Sequence, residues 1–200
     1  MPEQGIYESA EDSYLMSSAL ASEIPKLLKE NSDLKFLEVG VGNGINLKTV
    51  LNLGIKRENI LGTDINNNSV KHCKKIGFNC IKSDLFEEFK GGVSVRGNLV
   101  PLKFDIIVFN PPYLPLDKKE PLDSRSTTTG GKRGNEIAIK FLKEAKKFLI
   151  KDGRILIITS SLSSNINFKL LGYKSKKIAF GKLFFEEISL WELKIKTHYF

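Results

Sequence analysis

Cysteine, histidine, tryptophan and arginine are scarce in this 200-residue chain, at two, two, one and five copies, and each scarcity removes a class of function. Cys73 and Cys80 form no CxxC pair and have only His72 beside them. A structural zinc site needs about four ligands, so no metal site is expected. Reduced thiols of a cytoplasmic protein fit the two cysteines better than a disulfide framework. No wholly apolar run exceeds five residues, and Met1 to Gly5 is neither basic nor apolar. Neither a membrane span nor a signal peptide is expected. With so few arginines, the formal charge of +8 has no guanidinium patch behind it, and lysines cluster only at Lys174, Lys176 and Lys177. That spread reads as solvated faces, so nucleic acid is not a required partner.

What the chain does have is an ordinary globular balance, 41% hydrophobic and 27% charged, at a length that suits a single domain over residues 1–200. Its periodicity switches repeatedly between short apolar runs and helical spacing, the pattern of an alternating α/β domain. Helices are expected at 13–28, 45–53, 66–76 and 136–149, and strands at 35–39, 59–63, 79–82, 104–109 and 153–159. Two final strands, 174–180 and 184–194, close as a hairpin. Phe185, Ile188, Leu190, Trp191 and Leu193 slip in phase along the last one, which predicts a bulge there. Gly91, Gly92 and Gly97 mark a loop before the fourth strand, and an irregular stretch of about twenty residues follows Tyr113.

The chemistry gathers at strand ends. Asn110-Pro111-Pro112-Tyr113 follows an apolar strand directly. Asn carries an acceptor and a donor on one planar group, two prolines stiffen the turn that presents it, and Tyr113 offers a flat face for a planar amide or base. The first strand runs through Glu38 into Gly40, Gly42 and Gly44 and then a helix, a G-x-G-x-G turn preceded by an acid. Glu38 beside the ligand would repel a diphosphate and suits an ammonium. Asp64 ends the second strand, placed to accept from ribose hydroxyls. Asp84 ends the third, placed to accept from an adenine amino group while Leu85 packs near the ring.

Together these residues resemble class I S-adenosylmethionine-dependent methyltransferases of the amino-methylating kind. Tyr7-Glu8-Ser9-Ala10-Glu11-Asp12-Ser13 and Gly130-Gly131-Lys132-Arg133-Gly134-Asn135-Glu136 resemble two further segments of the HemK-like enzymes, which methylate the glutamine of a Gly-Gly-Gln loop in translation release factors. With no extra N-terminal helical domain, the resemblance is to the short archaeal and eukaryotic branch. Ser9 departs from the usual Pro. The resemblance implies a Rossmann-like, seven-stranded, mostly parallel sheet with helices on both faces and an antiparallel C-terminal hairpin. It also implies S-adenosylmethionine as methyl donor and S-adenosylhomocysteine as product. By motif position, Ser13, Glu38, Gly40, Gly42, Gly44, Asp64, Asp84 and Leu85 correspond to cofactor contacts, and Asn110 to cofactor and substrate alike.

On this reading the Asn110 side-chain oxygen and the Pro111 carbonyl accept the two N–H groups of the target amide while Tyr113 stacks on it. No dedicated base is expected; His72 and His198 read as surface residues. The segment 114–135 is expected to cover the substrate, with Gly130 and Gly131 as hinges. The resemblance further implies a small zinc-binding activator subunit, expected to pair at the edge of the third strand, where Phe78, Cys80 and Ile81 carry little charge. Adenine N6 methylation of DNA or RNA, protein-lysine methylation, and a noncatalytic cofactor-binding role remain as alternatives.

Overall fold

The computed structural model describes residues 11–89, 93–95, 98–100, 102–121, 125–183 and 185–196. Tyr7 to Ala10, Gly91, Gly92, Gly97, Phe184 and His198, which figured in the sequence reading, lie outside them. Among the described residues, β1 (Phe36–Val39), β2 (Ile60–Asp64), β3 (Asn79–Lys82), β6 (Phe104–Phe109) and β9 (Leu149–Ser160) run parallel. The hairpin β10 (Tyr173–Leu183) and β11 (Glu186–Ile195) joins β9 antiparallel through β11. The order is β10-β11-β9-β6-β1-β2-β3, so β1 and β6 flank the point where the sheet reverses direction, which is where such sheets bind ligands.

Alternation along the parallel strands feeds two cores. Phe36, Ile106, Val108, Leu156 and Ile158 face the side covered by α1 (Glu11–Glu30), α2 (Ile45–Asn52) and α3 (Asn67–Lys75). Leu37, Ile107, Phe109, Ile155 and Ile157 face the opposite side, where α5 (Glu136–Ala145) packs through Phe141 and Leu142. Phe86 stacks between Phe141 and Phe148 at 5.5 and 4.8 Å, so truncating it to alanine would cost about 3–5 kcal/mol. Arg154, largely buried, bridges Glu23 of α1 (3.2 Å) and Glu192 of β11 (2.9 Å), tying the first helix to the last strand.

Four expectations change. The helix from Glu136 ends at Ala145 and not at residue 149, because Phe148 leaves it to stack on Phe86 and Leu149 already pairs with Phe104. The glycine loop before the fourth strand encloses a small hairpin, β4 (Val93–Val95) with β5 (Asn98–Val100). The stretch after Tyr113 is not structureless: β7 (Leu114–Pro115) pairs with β8 (Thr129–Gly131), and a single helical turn, α4 (Arg125–Thr128), precedes β8. The predicted bulge lies in the partner strand, between Lys177 and Ala179 of β10, while Phe185 stands outside β11 and is 97% exposed. β11 itself alternates without a break, Ile188 and Leu190 facing one core and Trp191, Leu193 and Ile195 the other, so the apparent slip is a strand buried on both faces.

Candidate active site

The first Gly turn is anchored on the neighbouring strand. Gly40 and Val41 donate their N–H groups to the Thr63 carbonyl (2.7 and 3.0 Å), and Gly42 N–H donates to the Asp64 carboxylate at 3.0 Å. Gly40, at φ +71, brings the backbone against the Phe109 ring, leaving an open trough that a side chain would narrow. Gly44 does not line that trough. It is the left-handed N-cap residue of α2, and a Cβ there would lie 3.0 Å from the Cys73 sulfur, so its role is to pack the turn onto α3. Both cysteines are free and buried.

Above this turn lies a cleft of about 790 Å³, a size typical of small-molecule sites. Glu38, Gly40, Gly42, Asp64, Asp84, Leu85 and the exposed Ile65 line it, together with Ser13 and Asn110 to Tyr113. The register of β1 on β6, Val39 opposite Phe109, sets Asn110 beside the glycine turn. The expected site residues other than Gly44 thus converge on one cavity.

Glu38 is 3% exposed. One oxygen accepts from Asn46 Nδ2 at 2.7 Å, and the other is buried with no hydrogen-bond partner. Burial pushes its carboxyl well above the ordinary carboxylate range; the Asn46 bond offsets part of this, and Cys73 and Asp64 add to it. An orphaned buried carboxylate oxygen opening on a cleft is the complement of a cationic or N–H-bearing ligand. The ammonium end of a methionine moiety fits it. Asp64 is also raised, by burial first, against the pull of the Asn66 and Gly42 amides. Asp84 differs from its neighbours: its side chain is half-exposed and ion-paired with Lys140 at 2.9 Å, a contact of small net worth in solvent. Leu85 adopts φ +52, the described non-glycine residue with positive φ, a conformation that costs on the order of 1–3 kcal/mol and is typical of sites that hold a ligand.

At the Asn-Pro-Pro-Tyr turn, the Asn110 side-chain oxygen is buried and unpartnered. It is an acceptor left free at the end of β6. Tyr113 donates its hydroxyl to Asp12 Oδ2 at 3.2 Å. Behind the turn, the backbone at 130–134 is pressed so closely that a Cβ on Gly130 would meet the Pro112 carbonyl at 2.5 Å, and one on Gly134 would strike the Tyr113 carbonyl. The glycines there permit close approach, a packing reason for glycine at these positions beside the hinge freedom expected of Gly130 and Gly131. Glu120 reinforces the arrangement by accepting from the hydroxyls of Thr128 and Thr129. Three residues of the site escaped the sequence reading as functional groups. Asn46 and Ser17 form a relay, with Ser17 Oγ donating to Asn46 Oδ1 at 2.8 Å, and Asp12 holds Tyr113. Asn46, a polar residue one position into a helix otherwise apolar on that face, was the one available signal.

A Rossmann-like sheet with a glycine turn, strand-end acids and an Asn-Pro-Pro-Tyr turn around one cleft defines a class I methyltransferase architecture. Residues 57–179, more than half of the chain, match the sequence model of the family described as Eco57I restriction-modification methylase. A Methanocaldococcus jannaschii protein described as a protein N5-glutamine methyltransferase is 37% identical, over 94% of this chain and 92% of that one. The eRF1 methyltransferase catalytic subunit of Schizosaccharomyces pombe is 30% identical over 75% of this chain and 70% of its own length. Among solved structures, the E. cuniculi Mtq2–Trm112 complex, responsible for methylation of the eRF1 translation termination factor, superposes with a TM-score of 0.64. It is 20% identical, covers 96% of this chain and all of that one, and so shows the shared fold. The chain belongs to the methylase family of that sequence model and to the HemK-like protein N5-glutamine methyltransferases.

Proposed function

We propose that this chain is a single-domain, S-adenosylmethionine-dependent enzyme that methylates N5 of a glutamine in the Gly-Gly-Gln loop of a translation release factor. The observation that carries the reading is the buried, unpartnered Asn110 oxygen in the same cleft as the unpartnered Glu38 oxygen: an acceptor for a planar N–H₂ group beside an acceptor for an ammonium. S-adenosylmethionine, when bound, supplies an electrophilic methyl group on a sulfonium. Glu38, Gly40, Gly42, Asp64, Asp84, Leu85 and Ser13 are the residues that would hold it. Asn110 Oδ1 and the Pro111 carbonyl accept the two amide N–H groups, Tyr113 walls the planar group, and these fixed acceptors favour positive charge developing on nitrogen. Once the methyl group has been transferred, the extra proton leaves to water.

One observation favours glutamine over adenine. A duplex adenine would have to be flipped out against a basic groove. Three of the four described arginines are spent on contacts within the chain: Arg57 on the Gly77 carbonyl and Phe78 ring, Arg154 on Glu23 and Glu192, Arg125 on the Lys118 carbonyl; the fourth, Arg133, is exposed.

The sheet edges favour a partner at β3. β10 is the other edge, and its exposed Lys174, Lys176, Lys177 and Lys182, with its bulge, are the usual guards against strand pairing. β3 exposes only Asn79 and Lys82. Phe78 and Cys80 turn inward, at 4% and 3% exposure, and Ile81 is partly buried, so little of the apolar edge expected from the sequence is exposed and the attraction lies in its open backbone. A small zinc-binding activator pairing along that backbone completes the proposal. No helix among the described residues is long and apolar enough to cross a membrane, and a release factor as substrate supports a cytoplasmic location.

Radiolabelled S-adenosylmethionine offered with a Gly-Gly-Gln release factor, a lysine-bearing protein and adenine-containing DNA and RNA tests the acceptor. Label is expected on the release factor and lost with Asn110→Ala. Label on nucleic acid or lysine alone overturns the reading.

A further inference from the structure

We propose that Asp12 is a positioning residue for the catalytic turn, acting through the hydroxyl of Tyr113. The contact joins residues 101 positions apart, the second residue of α1 and the last of the Asn-Pro-Pro-Tyr turn. Asp12 is 3% exposed, and its other oxygen accepts from the Ser13 N–H at 2.6 Å. A carboxylate taken from water is retained where donors converge on it, and here one donor belongs to the ring read as the substrate wall.

The geometry gives this bond a purpose beyond satisfying Asp12. The Tyr113 ring turns about two side-chain torsions, and its backbone is fixed by Pro111, Pro112 and the close pack of Gly134 on its carbonyl. Only the far end of the ring could swing. The Asp12 bond closes that freedom at the hydroxyl, so the face against which a target amide would lie is set before substrate arrives. Asp12 also neighbours Ser13, and both line the cleft. Helix α1 therefore reaches the site by two routes, through Ser17 and Asn46 to Glu38 and through Asp12 to Tyr113.

This inference rests on the reading of Tyr113 as the substrate wall. Its test is read as a ratio of variant to wild type on whichever acceptor the wild type labels, so it fails separately from the choice of acceptor. Tyr113→Phe and Asp12→Ala are each expected to lower kcat about tenfold while S-adenosylmethionine affinity stays within about twofold. Their double variant should lose no more than either alone. Asp12→Asn keeps an acceptor oxygen and should recover most of the loss. Independently of activity, the Tyr113 ring resonances of a chain carrying ¹³C-labelled tyrosine should shift in Asp12→Ala and return towards wild type in Asp12→Asn. Wild-type kcat in Tyr113→Phe, multiplicative losses in the double variant, or ring resonances unmoved by Asp12→Ala would each overturn the proposal.

Discussion

Glu38 poses the sharpest conflict at the scale of single residues, because a buried carboxyl held above its ordinary range is a burden on the free chain. The sign follows from linkage. The unfolded chain ionises at the ordinary carboxylate pH, while the folded one stays protonated to higher pH, so stability is full below the ordinary value and declines as pH rises through the raised one. Glu38→Gln removes that decline, and chemical denaturation of the free chain at neutral pH should find the variant as stable as the parent or more so. An ammonium in the cleft favours the carboxylate, so ligand binding expels a proton and S-adenosylmethionine affinity should climb with pH through the same window. Calorimetry of Glu38→Gln should show affinity weakened about tenfold or more and its pH dependence flattened. A slope that survives in the variant would assign the proton elsewhere. Asn110→Ala should leave that affinity nearly intact and lower kcat by about 10²–10³ in single-turnover assays; an equal loss in cofactor binding would mean that Asn110 serves the cofactor alone. Glu38, Asp64 and Asn110 were legible in the chain because each ends an apolar run. Asp12 and Asn46 were not, because their roles come from partners 101 and 8 residues away.

At the scale of elements, the central parallel strands could be read because β1, β6 and the second half of β9 carry short apolar runs buried on both faces, and β3 and β6 fall on their expected bounds. The segment from Leu114 to Gly134 could not, since its order comes from a two-residue strand pairing and from glycines pressed on the Asn-Pro-Pro-Tyr turn, neither of which leaves a periodicity. The helix end at Ala145 was hidden for a related reason: Phe148 continues the helical apolar spacing but is claimed by Phe86. The contrast between hinge and packing is measurable. Gly130→Ala places a methyl group against the Pro112 carbonyl, so it should cost about 1–3 kcal/mol in urea denaturation and depress kcat, with S-adenosylmethionine titrating as in the parent. A variant with unchanged stability and altered product release would favour the hinge.

Across the whole molecule, one sheet carries two unlike edges, and the difference makes a prediction about assembly. Pairing is resisted along β10 by exposed lysines and a bulge, whereas β3 offers four residues whose outer backbone groups meet no other strand among the described residues. Its inward side chains, Phe78 and Cys80, anchor it to the core, so the strand is rigid before any partner binds. A rigid, open edge needs little ordering to accept a further strand, which lowers the entropic cost of association. In hydrogen exchange, the amides of residues 79–82 that point away from β2 should exchange rapidly in the chain alone and be protected in complex with a small activator subunit. Those of β10 should not change. A charge on an exposed residue of β3, Asn79→Glu, should weaken that complex while leaving S-adenosylmethionine binding to the isolated chain in place, because Asn79 lies exposed on the edge and does not line the cleft. Protection appearing along β10 instead would show that the lysines recruit the partner rather than repel one, and would move the activator to the hairpin side of the sheet.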